Sequence, residues 1–289
     1  MKTSMRICCA WLACLPLWAS GCVIVGVGDG CWSWSEPSVW IESMEERPLD
    51  TPGLTALEVR THNGSIDFQS ASDGNASVKI TKKAGGESQQ DAEEALAAIN
   101  VLVESVGDGK TRISWKWAVP KKARWRADVS FAIRAPAALN LDAETHNGAV
   151  TAAEVSGDLR IVSHNGKINA RSSKGKLYVE THNGALDATY AGPEVNLNTH
   201  NGAITADLSQ CAAVAGSIST HNGAVRIAVG RNTAATLKLQ NHNGGIDCEA
   251  PLSDSRKAKG ELTGKLGTGG GTLHVETHNG AIRVKNAAG

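Results

Sequence analysis

One tripeptide constrains this chain more than anything else in it. His-Asn-Gly occurs eight times, at His62, His146, His164, His182, His200, His221, His242 and His278, and only one other histidine, His274, exists in the 289 residues. Successive copies lie 84, 18, 18, 18, 21, 21 and 36 residues apart. A unit this short cannot bury its own apolar face, so neighbouring copies must stack on one another. The last step is twice the shortest one, which predicts a degenerate coil without the motif near Thr263 and Gly264.

Alignment on the histidine gives columns with a physical meaning. Five residues before it stand Leu57, Leu141, Leu159, Leu177, Val195, Gly216, Leu237 and Leu273, and three before it Val59, Ala143, Ile161, Val179, Leu197, Ile218, Leu239 and Val275. Four after it stand Ile66, Val150, Ile168, Leu186, Ile204, Val225, Ile246 and Ile282. Alternation on both sides of the motif means two short strands that meet at a corner, each with one face inward. The predicted fold is therefore all-β: a single-chain parallel β-solenoid with coils of 18–21 residues. High glycine, scarce proline and few aromatics agree with short strands and many tight turns.

Each motif residue has an expected structural task. Gly148, Gly166, Gly184, Gly202, Gly223, Gly244 and Gly280 are expected at positive φ, turning the corner. Asn147, Asn165, Asn183, Asn201, Asn222, Asn243 and Asn279 are expected to form an amide ladder between coils. Threonine, which precedes the histidine in six copies, shares the inward parity of the apolar columns. Histidine has the opposite parity and is expected to point outward.

The repeat is interrupted between His62 and His146. Residues 51–75 hold a first strand pair, 76–138 an α+β insertion or cap, and 139–289 the solenoid repeats. Within the insertion Ser88 and Asp91 frame a helix start, residues 92–98 favour helix, and 99–106, 111–119 and 125–135 read as strands. Capping is needed because an open end invites strand addition.

These coils resemble a bacterial adhesin-type family of unknown function, whose domains carry recurring Thr-x-Asn-Gly-x-Ile coils. The resemblance covers roughly residues 54–289 and implies the architecture, a strand–helix–strand insertion leading into the coils, and an exported or membrane-attached protein. It implies almost nothing about chemistry.

Residues 1–22 are read as a targeting segment. Lys2 and Arg6 precede an apolar stretch, and Ala19, Ser20, Gly21 and Cys22 close it. This resembles a lipoprotein signal in which Cys22 is lipidated, followed by a tether over 23–50. Val23 after the cysteine favours an outer-membrane destination in a Gram-negative host, facing the periplasm or the cell surface. The expected partners are the membrane, through that anchor, and an envelope polysaccharide or protein. Beyond the signal and Cys22 only Cys31, Cys211 and Cys248 remain, too few for a disulfide framework; Cys248 falls in an inward column.

With 29 basic and 29 acidic residues, no global charge points to nucleic acid. Seven basic residues between Lys110 and Arg126 alternate with Trp115, Trp117 and Trp125; parity puts the tryptophans in the core and Arg112, Lys116, Arg124 and Arg126 on an outer face. No cofactor is expected. The outward column of His146, His164, His182, His200, His221, His242 and His278 leaves a divalent-metal- or pH-responsive binding module as the alternative to a non-catalytic adhesin or envelope-structure protein. A β-helix carbohydrate-active enzyme stands third, because such catalysis needs unlike groups at one unrepeated place, whereas Asp67, Asp187 and Asp247 recur in one column.

Overall fold

Each His-Asn-Gly copy joins two strands, and the strands of neighbouring copies pair in parallel with like positions opposite like. A computed structural model of the chain describes residues 23–26, 31–34, 39–172 and 174–287; the Cys22 lipidation site and the signal segment lie outside them. Leu141 faces Leu159, Leu159 faces Leu177 and Leu177 faces Val195 in one sheet. Ile168, Leu186, Ile204 and Val225 follow one another in the second. A strand pair and its corner are called a rung below, named by its histidine. The His182 rung, for example, is Leu177–Asn183 and Leu186–Tyr190.

The result is an all-β chain with one short helix and two large, mostly parallel sheets, of 12 and 11 strands among the described residues. Alternate residues of both sheets enter one continuous core. Leu141, Ala143, Val150 and Ala152 are at most 1% exposed, and the same holds for Leu177, Val179 and Leu186. Each such Val, Leu or Ile contributes about 1.5–3 kcal/mol relative to an exposed one. Parallel rungs keep this alternation in phase from coil to coil, because a one-residue slip would turn every apolar side chain to solvent.

At the N-terminal end, Lys110–Trp117 and Arg126–Ala135 pair in parallel with the two strands of the His62 rung, Ala56–Arg60 and Ile66–Ser70. Both sheets then finish in antiparallel strands: Ile99–Ser105 in the first, Ala76–Gly86 and Val39–Leu49 in the second. The tether expected over 23–50 therefore ends sooner. Its residues 39–49 bury Leu49 and half-bury Ile41, and a short antiparallel pairing joins Val23–Gly26 to Cys31–Trp34. The helix is Gln89–Ala97, with the Ser88 hydroxyl accepting from the Asp91 amide at its start. Trp125 is 2% exposed, but Trp115 and Trp117 are only half-buried, at the margin of the core.

The C-terminal end departs from the expected order. No degenerate coil forms near Thr263 and Gly264. Those residues lie in Glu261–Leu266, which pairs antiparallel with Ser253–Ala258 and with Ala235–Asn243 of the His242 rung. The last rung, Thr272–Asn279 and Ile282–Asn286, is inserted between the His221 and His242 rungs. The chain leaves a slot one rung wide, folds a hairpin over the first-sheet edge, and returns to fill the slot. Antiparallel pairing covers the edge of the His242 rung and leaves the charged strand Ser253–Ala258 as the new edge of the sheet. The second sheet ends on the three-residue strand Ile246–Cys248, so Ile246 and Cys248 are half-buried and not fully enclosed as their column predicts.

Candidate functional site: the histidine corner and its groove

The motif builds three parallel ladders along one edge of the stack. The innermost belongs to glycine. Of the repeat glycines only Gly64 and Gly244 have positive φ, so the expected left-handed corner is not the general reason for this residue. Close approach is. A Cβ on Gly148 would lie 1.9 Å from the Gly64 carbonyl oxygen, on Gly166 2.0 Å from that of Gly148, and on Gly202 1.9 Å from that of Gly184. The same contact links Gly280 to Gly223 and Gly244 to Gly280, following the spatial order and not the chain order.

The second ladder is asparagine. Asn147 donates its side-chain amide to the Asn63 side-chain oxygen at 2.7 Å, and Asn165, Asn183 and Asn201 each repeat the bond to the rung before at 2.8 Å. Asn222, Asn279 and Asn243 complete it in that order. Between the two ladders the buried hydroxyls of Thr145, Thr199, Thr220 and Thr277 donate to the glycine carbonyl one rung back, at 2.9–3.1 Å. Asn241 takes this place in the His242 rung and donates to the Gly280 carbonyl.

The third ladder is histidine, and it faces solvent. The rings stack in the order His62, His146, His164, His182, His200, His221, His278, His242, with centroids 4.6–5.0 Å apart and planes within 21° of parallel. A nitrogen lone pair lies in its ring plane, so near-parallel rings direct their lone pairs side by side and not towards a shared ion. Among the described residues no three His, Cys, Asp or Glu side chains group as a metal centre requires. Desolvation within the stack, followed by the neighbouring imidazoles of His164 and His62, holds His146 below the usual imidazole range.

Beside the rings runs a groove of about 720 Å³. One wall is the imidazole column. The other is the residue two positions earlier, Glu144, Val162, Glu180, Asn198, Ser219 and Glu276 in rung order, and the threonine column forms the floor. Arg60 pairs with Glu144, the first residue of that wall. It reaches Asp142 at 2.7 Å, Glu144 at 3.3 Å and Glu58 at 3.4 Å. Glu58 also takes Lys110 at 2.7 Å and Arg112 at 3.2 Å. The Lys110 bond leads a group of cations that hold the Glu58 carboxyl down at about 2, against the cost of burial. Asp142 is partly buried, which opposes its charge, yet Arg60 and Arg160 keep it below the usual carboxylate range. Much of the basic segment is thus spent internally, with Arg124 2.8 Å from Asp91.

Sequence reasoning does not find this cluster, because Glu58, Lys110 and Asp142 become neighbours only when the insertion joins the sheet. It also passes over Tyr190, whose buried hydroxyl sits 2.8 Å from the Gly175 carbonyl and 2.6 Å from that of Glu194, bracing a return loop. Burial pushes that phenol up to about 12. The buried Cys211 thiol, 3.2 Å from the Tyr190 carbonyl, is raised for the same reason.

No family model matches the chain, and no curated protein matches it. Among solved structures it is similar to a putative cell adhesion protein from Clostridium sporogenes, at 10% identity and TM-score 0.38 over 85% of this chain and 100% of that one. It is also similar to putative adhesins from Bacteroides fragilis, at 12% and 0.41 over 84% and 97%, and from Parabacteroides merdae, at 11% and 0.42 over 84% and 96%. Likenesses this distant carry no inference about ligand or role.

Proposed function

We propose that the chain is a non-catalytic, exported envelope lipoprotein of adhesin type, a β-solenoid tethered to the membrane through Cys22 and displaying its histidine edge to a polysaccharide or protein of the envelope. The observation that carries this reading is the repetition of one solvent-facing corner through eight stacked rungs. Catalysis concentrates unlike groups at one place, whereas one wall of the groove offers an imidazole at every step, which suits recognition of something extended.

Two measurements test it. Metabolic labelling with an alkyne fatty acid should mark the wild-type protein and bring it down with the membranes, and Cys22→Ala should abolish both. Cells lacking the protein should attach less well to envelope-polysaccharide surfaces or to sister cells; unchanged attachment removes the adhesin reading. A pH-responsive module is the second reading, favoured by the stacked rings and by the lowered pKa of His146.

A further inference from the structure

The groove beside the histidine ladder has a width, a period and a charge, and together they narrow what it can hold. Its walls are side chains two residues apart on one strand, whose Cα atoms lie about 7 Å apart. That excludes a helix, whose diameter is about 10–12 Å. Its period is the rung, with seven rings from His62 to His278 along its wall at steps of 4.6–5.0 Å.

Charge removes the polyanions. The groove is lined by Glu144, Glu180 and Glu276 and by no lysine or arginine, and Arg60, which pairs with Glu144, is also held by Asp142 and Glu58. Nucleic acid and acidic glycans would meet carboxylates without compensating bases while the imidazoles are neutral. An extended peptide fits poorly for another reason. Its backbone donors and acceptors need a free sheet edge, and here the strands beneath are already paired on both sides.

A neutral, hydroxyl-rich chain meets neither obstacle. The ring faces are consumed by stacking on one another, so each imidazole offers only its edge, a hydrogen-bond donor and an acceptor in the neutral form. Glu144, Glu180, Asn198, Ser219 and Glu276 offer further polar atoms across the groove. We propose that this groove binds an uncharged linear polysaccharide lengthwise, its hydroxyls held between imidazole edges and the opposite polar wall, one rung after another. The inference rests on the adhesin reading above and specifies its ligand.

The test uses the full chain in detergent micelles and calorimetric titration at pH 7.5 with neutral β-linked glucose and N-acetylglucosamine oligomers of two to seven sugars. Affinity should rise at least tenfold from the shortest to the longest, because each added sugar engages another rung. Ser219→Trp, which fills the groove without replacing a ladder residue, should lower affinity for the longest oligomer at least tenfold. Thr205→Trp, on the exposed face of the second sheet, should leave it unchanged. Absence of binding by every oligomer, affinity independent of length, equal binding by Ser219→Trp, or a preference for an acidic glycan or an extended peptide overturns the proposal. If cell attachment needs Cys22 but survives Ser219→Trp, the adhesin reading stands and the groove assignment falls.

Discussion

Glycine in this motif is fixed by its neighbour in the next rung and not by its own torsion angles. Gly202 lies between the Gly184 carbonyl, which its Cβ would meet at 1.9 Å, and Gly223, whose Cβ would meet the Gly202 oxygen at the same distance. Gly202→Ala must therefore spread the rungs, and the expected loss is about 1–3 kcal/mol in a urea melt. Gly245, with nothing within 4 Å of its Cβ position, provides the control: Gly245→Ala should stay within about 0.5 kcal/mol of wild type. Equal losses at the two sites would refute the close-approach account. Asparagine contributes less, because its ladder is exposed and water can replace a lost partner. Asn183→Ala removes the bonds to Asn165 and from Asn201 and should cost about 1 kcal/mol, read in the same melt.

Elements at the two ends of the stack manage the open edges. The hairpin Ser253–Ala258 and Glu261–Leu266 covers the first sheet beyond the His242 rung, and its outer strand is exposed along its whole length, with Asp254, Arg256 and Lys257 on the free edge. Charged edge strands resist further pairing. Replacing residues 249–271 by a linker as short as the other return loops should leave the rungs folded but free the edge of Ala235–Asn243. The expected outcome is self-association, seen by light scattering as a mass above the monomer at micromolar concentration; a monodisperse monomer would show that the hairpin is dispensable. At the other end the helix is held by its Ser88 cap, while Gly86 admits the start of the helix closely, its Cβ position lying 2.6 Å from the Ala92 amide nitrogen.

Over the whole molecule, the titrating groups predict two separate pH limbs of stability. His146 has a folded pKa below its ordinary value, so the unfolded chain binds the extra proton. Stability is then full above the unfolded imidazole pKa of about 6.5 and declines as pH falls through the folded value. Glu58 has its folded pKa lowered to about 2. Its contribution is present above the ordinary carboxylate range and is lost as pH falls from about 4.5 towards 2. Thermal melts from pH 8 to 2 should show both declines, and Glu58→Gln should flatten the acid limb while leaving the limb near neutrality. A melting temperature constant from pH 8 to 5 would sink the histidine part.

The sequence by itself determined the repeat, the face each column presents, the outward histidines and the helix start at Ser88, because these follow from periods of two and eighteen and from local capping chemistry. It could not determine which copies touch. Hydrophobic patterning gives every rung the same inward face and so cannot tell the His242 rung from the His278 rung as a neighbour of His221. That choice was made by the edge: the hairpin can pair antiparallel only with the terminal strand, which forces the last rung into the slot behind it. The glycine column shows the same limit in one residue. Its presence in every copy is legible in the chain, but its reason is an oxygen about 2 Å away on another rung, and only the stacked structure brings that oxygen there.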